Sequence, residues 1–315
     1  MREKSKKITS IGGQALMEGI LMRGPKITSV AVRQPDGTLD VTTQPTRSLK
    51  DRVPLFRLPL LRGIGAMYDS LSVGYKALMQ SVEKSCPEEE EEPSKVDRWI
   101  EAHLGSKAYG IATVIGGVLG VALALVLFFI LPTQLVNWLK LLTGEGIEPW
   151  RAVLEGVLRL AILIGYMALC SCQKDMRRVF QYHGAEHKTI FCYESGEELT
   201  VENVRRHTRF HPRCGTSFMV LMVLLGVIAG FFIPITQPVL RMLAKLLLLP
   251  LVVGIGYELI RLCGRCENLA TRIIAAPGLW IQRLSTKEPD DGMIEAAIEA
   301  IRAVIPENGE DIVKG

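Results

Sequence analysis

The chain has 315 residues, a formal net charge of +4 at pH 7 and 48% apolar residues. So small a charge, with no dense basic tract carrying interleaved aromatics, excludes nucleic acid as an expected partner. Seven irregularly spaced cysteines make no disulfide framework, and the start "MREKSKKITSIGGQALMEG" lacks the apolar core and cleavage site of a signal peptide.

Residues 1–84 read as a cytoplasmic N-terminal region. The block "IGGQALMEGILMRGP" has the glycines of a phosphate cradle, but neither the Gly-Lys-Ser/Thr ending of a P-loop nor the spacing of a dinucleotide fingerprint. Gly12, Gly13, Glu18, Gly19, Arg23 and Gly24 are expected in a tight turn packed against the membrane domain. The stretch "VAVRQPDGTLDVTT" alternates about Pro35-Asp36-Gly37 and predicts a β-hairpin. From Met67 onward Leu71, Tyr75, Leu78 and Val82 recur at helical spacing, giving an amphipathic helix. Residues 85–97 form an acidic linker whose run from Glu88 to Glu92 repels itself and stays solvated. Residues 97–104 then lead into the first apolar run.

Residues 98–262 form the membrane domain, with spans near 110–132, 152–172, 217–235 and 242–262. Charges inside the less pure spans, Glu155, Arg159, Lys245 and Glu258, are expected to face the bundle interior or the interface. Glu155 and Arg159 stand four apart on one helix face and are expected to neutralise each other. The short connections hold only Lys140, Arg151 and Arg241, whereas the loop 173–216 holds Lys174, Arg177, Arg178, Lys188, Arg205, Arg206, Arg209 and Arg213. The positive-inside rule puts that loop and both termini in the cytoplasm. Residues 263–315 form a cytoplasmic interfacial region, with Trp280 as an anchor in "NLATRIIAAPGLWIQRL" and a last helix capped by Asp290 or Asp291. The expected fold class is therefore an α-helical polytopic protein of the cell membrane with about four transmembrane helices. It adds a cytoplasmic helical loop bearing histidine motifs and a small N-terminal β-hairpin, and the lipid bilayer is its expected partner.

Four of the five histidines fall in the 173–216 loop. His183 and His187 are four apart, so on a helix both rings leave one face about a turn apart, as a single metal ion requires. With Glu186 between them they make His-x-x-Glu-His, an inverted zinc-hydrolase motif in which the carboxylate is a general base. His207 and His211 repeat the spacing, and Cys214 follows. Glu258, near the end of the fourth span, is a carboxylate candidate for the third ligand, with pairing to Arg261 or Arg265 as the competing role. Reaching a common point requires the chain to bend after Cys172. A Cys263-x-x-Cys266 pair without a second such pair carries no metal assignment. The divalent ion that suits these ligands best is zinc, with iron a lesser option.

Taken together, "IGGQALMEGILMRGP", "YHGAEHKTIFCYE", "RRHTRFHPRCGTSF", "GYELIR" and "APGLWIQRLSTKEPDDGMIEAAI" resemble the YqhQ family of bacterial integral membrane proteins, also defined as a domain of unknown function, 1385. The resemblance runs from about Ile11 to about Ile301. It implies a predicted metal-dependent enzyme, with His183, Glu186, His187, His211 and Cys214 at matching positions; the acidic run and the Cys263–Cys266 pair lie outside the pattern. Two functions are carried forward. One is a membrane-bound metal-dependent enzyme, a hydrolase, with Glu186 as general base. The other is a non-enzymatic scaffold or transporter component, with Glu155 and Arg159 marking a polar bundle core.

Overall fold

The computed structural model describes residues 7–85, 108–265 and 268–313. The acidic run, the 97–104 segment and Cys266 lie outside the described residues. What is described is mostly helical, with a four-stranded antiparallel sheet near the N-terminus: β1 (Gly12–Leu16), β2 (Gly19–Arg23), β3 (Ile27–Arg33) and β4 (Leu39–Pro45), paired in chain order. The helices are α1 (Leu61–Ser85), α2 (Ala108–Leu125), α3 (Leu131–Thr143), α4 (Arg151–Cys172), α5 (Lys174–Glu194), α6 (Val201–Arg206), α7 (Gly215–Phe231), α8 (Pro238–Arg265), α9 (Leu269–Ser285) and α10 (Asp291–Arg302). One compact unit comprises Met1–Pro87, Ile164–Leu225 and Leu249–Gly315; the other comprises Glu88–Leu163 and Gly226–Leu248.

In the first unit, β3 and β4 form the expected hairpin. Gly37 takes φ +85°, and the Asp36 carboxylate accepts from the Thr38 amide at 2.8 Å and its hydroxyl at 2.6 Å. Where a packed turn is expected, β1 and β2 make a second hairpin, closed by Leu16 opposite Gly19, with Glu18 at φ 48°. Pattern reading misses it for two reasons. Glycines occupy positions 12, 13 and 19, where β-branched residues would signal a strand. β2 is also buried on both faces, so Ile20, Leu21 and Met22 show no alternation.

Both sheet faces are covered. Ile20, Met22 and Ala31 pack with Tyr182, Ala185 and Ile190 of α5 and with Met293, Ala297 and Ile301 of α10. Leu16, Leu21, Val30 and Val32 pack on Ala77 of α1. The expected apolar stripe of α1 does not supply that contact: Leu71 and Tyr75 are 66% and 54% exposed, while the buried positions are Gly63, Gly65, Asp69, Ala77 and Ser81. Small residues let α1 lie close to the sheet, which turns its large side chains outward. The motif glycine of α5 has a similar reason to be there. A Cβ on Gly184 would sit 2.0 Å from the Lys287 carbonyl oxygen, because residues 286–289 lie along α5 with the Lys287 amide donating to Phe180 O at 2.8 Å. Gly184→Ala is therefore expected to lower stability by about 1–3 kcal/mol, although alanine favours helix, and denaturant unfolding of the purified protein would register this.

Among the described residues, three helices are long and apolar enough to cross a membrane: Val114–Thr143, Glu145–Cys172 and Pro238–Cys263. The expected span at 217–235 corresponds to α7, which is apolar but shorter, because the chain leaves the helix at Phe231 ahead of Pro234. The first apolar helix also does not stop at Pro132. It passes through a π-helical turn, Val126–Ile130, into α3, with Pro132 in the first turn. Proline lacks the amide that would serve the carbonyl four residues back, and Arg159 Nε donates to Phe128 O at 2.7 Å instead. Glu155 and Arg159 do not pair as their spacing suggests. Glu155 binds Arg241 at 2.7 Å and Lys245 at closer range, both from α8.

Candidate metal centre

Gln173, with extended backbone (ψ 134°), separates α4 from α5 and provides the bend after Cys172 that the histidines need. Tyr182, Ala185 and Ile190 enter the core with 0%, 0% and 3% exposure, which fixes the rotation of α5 and leaves His183, Glu186 and His187 facing a cavity of about 740 Å³. Cys214, at the start of α7, lines the same cavity, as do residues 8–15, which lead into and form most of β1.

His183 Nε2 lies 3.1 Å from Cys214 Sγ, and the His183 and His187 ring centroids are 4.4 Å apart. One ligand atom each from His183, His187 and Cys214 lie within 4.8 Å of one another. Each imidazole is oriented through its other nitrogen. His183 Nδ1 is 2.8 Å from Ser285 O, and His187 Nδ1 is 2.6 Å from Arg209 O. A carbonyl only accepts, so Nδ1 carries the proton in both rings and each Nε2 presents a lone pair. The Thr216 amide donates to Cys214 Sγ at 3.4 Å, placing the positive end of α7 behind the sulfur. Two imidazole nitrogens and one thiol sulfur, with carbonyls fixing the tautomers, suit zinc.

Glu186 is 6% exposed. Its Oε1 accepts from the Gly13 amide at 3.0 Å, and its Oε2 has no hydrogen-bond partner among the described residues. Burial pushes the Glu186 carboxyl above the ordinary carboxylate range, with His183 and the Gly13 amide opposing in part. Gly13 has to be bare: a Cβ there would fall 2.6 Å from Leu21 O and 3.0 Å from the Glu186 carboxyl carbon. Gly13→Ala is expected to push β1 away from Glu186 and cost about 1–2 kcal/mol, visible as a lower unfolding temperature with metal content unchanged.

A family model described as "Protein of unknown function (DUF1385)" matches residues 58–307. The "Uncharacterized protein YqhQ" of Bacillus subtilis (strain 168) is 32% identical over 303 residues, which is 96% of this chain and 94% of that protein. The chain belongs to the YqhQ family. No solved structure matches it significantly. His183, Glu186, His187, Cys214 and Ser285 lie inside the stretch that the DUF1385 model covers, and Gly13 lies before it.

The remaining predicted ligands of this YqhQ-family chain are not in the three-residue cluster. His211 lines the cavity, its ring 5.4 Å from that of His187. Its backbone is gripped by Gln282 through two 2.7 Å bonds, and its Nε2 faces the Arg213 guanidinium at 3.4 Å. It is not one of the three clustered ligands. His207 is not brought to the centre: α6 ends at Arg206 and the chain from His207 to Cys214 is not helical, so the four-residue spacing gives His207 and His211 no common face. His207 stands instead with Cys192 and Glu197, its Nε2 3.5 Å from the Glu197 carboxylate. Glu258 is also placed apart. Arg62 grips it through Nε at 2.6 Å and through Nη2, the Leu60 amide adds a contact at 3.4 Å, and Arg261 contributes through its charge, while the Arg265 side chain lies outside what is described. Of the expected ligands it is Cys214, and not Glu258, that lies beside the two histidines. Sequence reasoning missed the groups that hold the site, namely the Gly13 amide and the carbonyls of Arg209 and Ser285. Only the Gly12-Gly13 pair carried a signal; a carbonyl leaves none.

Proposed function

We propose that this chain is a membrane-embedded, metal-dependent hydrolase whose centre opens on the cytoplasmic side. The observation that carries the reading is the convergence of His183, His187 and Cys214 in one cavity that also admits the Glu186 carboxyl. His183, His187 and Cys214 would hold a zinc ion, which would supply a Lewis acid able to activate water. Glu186 would be the proton acceptor through Oε2, the oxygen with no hydrogen bond among the described residues, while the Gly13 amide holds Oε1 and fixes the plane of the carboxyl. Burial raises the affinity of this carboxyl for a proton, which suits a group that accepts one and returns it to a leaving group. The cavity has room for a drug-sized portion of substrate.

The membrane reading is supported by the three long apolar helices and by the exposed Tyr68, Leu71 and Tyr75 of α1 and Leu269, Ile273 and Trp280 of α9, which suit an interfacial layer. Its orientation rests on the eight lysines and arginines between Gln173 and Thr216. The test is to incubate purified protein with a labelled casein, a vesicle phospholipid and a phosphodiester, before and after 1,10-phenanthroline. Hydrolysis of at least one, lost on chelation and restored by zinc, is expected. Rates for all three no faster than those of a Glu186→Gln control would defeat the proposal.

A further inference from the structure

The second unit contains a group of four charged side chains that the metal centre does not use. Glu155, Arg159, Arg241 and Lys245 are 1%, 8%, 1% and 9% exposed, in a unit built largely of apolar helix. Among the described residues, one carboxylate thus serves three cations, an imbalance that is costly away from water.

Two of the cations are accounted for. Arg241 donates from Nε to Glu155, from Nη1 to the carbonyls of Ile233 and of Ile235 (2.9 Å), and from Nη2 to Gly230 O at 3.3 Å. It thereby caps the carbonyl end of α7, where a cation is stabilised. Lys245 is paired with Glu155. Arg159 is the remainder. Its Nε donates to Phe128 O at 2.7 Å and its guanidinium lies 5.4 Å from the Phe129 ring centroid. Its Nη2 is buried with no hydrogen-bond partner among the described residues. On the α7 side it meets Gly226, where a Cβ would lie 3.3 Å from Nη1. Arg159 interacts electrostatically with Glu155, Arg241 and Lys245 at once, yet among the described residues it has no carboxylate of its own.

We propose that Arg159, backed by Lys245, is an anion site that takes one singly charged group, either a small free anion or the phosphate of an anionic lipid. A guanidinium with an unengaged edge is suited to a planar or tetrahedral oxyanion, and one added negative charge supplies the counter-charge that Arg159 lacks, lowering the net charge of the four side chains from +2 to +1. The inference is independent of the proposed metal centre.

The test uses thermal unfolding of the purified full chain in a nonionic detergent. Chloride, inorganic phosphate, or phosphatidylglycerol is titrated against sodium gluconate or phosphatidylcholine at constant ionic strength. A saturable rise of about 3 °C or more with at least one of them, absent in Arg159→Met, is expected. A response to chloride or phosphate identifies a free anion, and a response to phosphatidylglycerol alone identifies a lipid headgroup. Should Arg159→Met fail to fold, Arg159→Lys takes its place, with an apparent affinity expected to be at least about tenfold weaker because the guanidinium fork is lost. No specific rise in the wild-type protein, or an unaltered rise in the folded variant, would overturn the proposal and leave a structural network only.

Discussion

Glu186→Gln is expected to keep the bound metal and to lose about 10²–10⁴-fold in turnover, the usual contribution of a general base. The amide has nearly the shape of the carboxyl, and its oxygen can still accept from the Gly13 amide, the bond now made by Oε1. It cannot take a proton from water. His183, His187 and Cys214 are held by Ser285, Arg209 and Thr216 rather than by Glu186, so their positions should not depend on the substitution. Burial disfavours the charged carboxylate, so the variant should unfold no earlier than the parent. Steady-state rates on whichever substrate responds, with metal content and unfolding temperature measured in parallel, check all three expectations. Full activity in Glu186→Gln would remove Glu186 from the chemistry.

Glu155→Leu is expected to destabilise the protein by about 3–5 kcal/mol, the cost of stripping the counter-charge from a buried pair. Arg241 and Lys245 both turn to this one carboxylate, and Arg241 is 1% exposed. Neither can swing into water. The companion variant Glu155→Leu/Lys245→Met removes a cation together with its partner and should recover at least about half of the loss, since coupled groups are not additive. Denaturant unfolding in detergent measures both. Equal stability of Glu155→Leu and wild-type protein would show that the carboxylate is not needed to hold the two cations.

Local features were legible from the sequence where a single element encoded them. The β3–β4 hairpin follows from Pro35-Asp36-Gly37, and the long apolar helices follow from their high hydropathy, which the few charges inside two of them do not cancel. His183, Glu186 and His187 share one helix because their spacing matches its period. What was not legible depended on partners far away in the chain. Nothing local says that Arg62 will claim Glu258, or that Glu155 will choose residues 86 and 90 positions distant over Arg159, one turn away. The α1 stripe misled because periodicity reveals an apolar face without saying whether protein or another apolar medium covers it. The His207 and His211 spacing misled because helical periodicity has meaning only inside a helix, and α6 had already ended.

Metal analysis tests the central claim most directly. The protein, purified without chelators and equilibrated with zinc, should carry about one tightly held equivalent at the centre formed by His183, His187 and Cys214. Glu186→Gln should retain that equivalent, and His183→Ala, His187→Ala and Cys214→Ala should each lose it while remaining folded. A wild-type protein that takes up no zinc, or His183→Ala and Cys214→Ala variants that hold as much as the parent, would contradict the account.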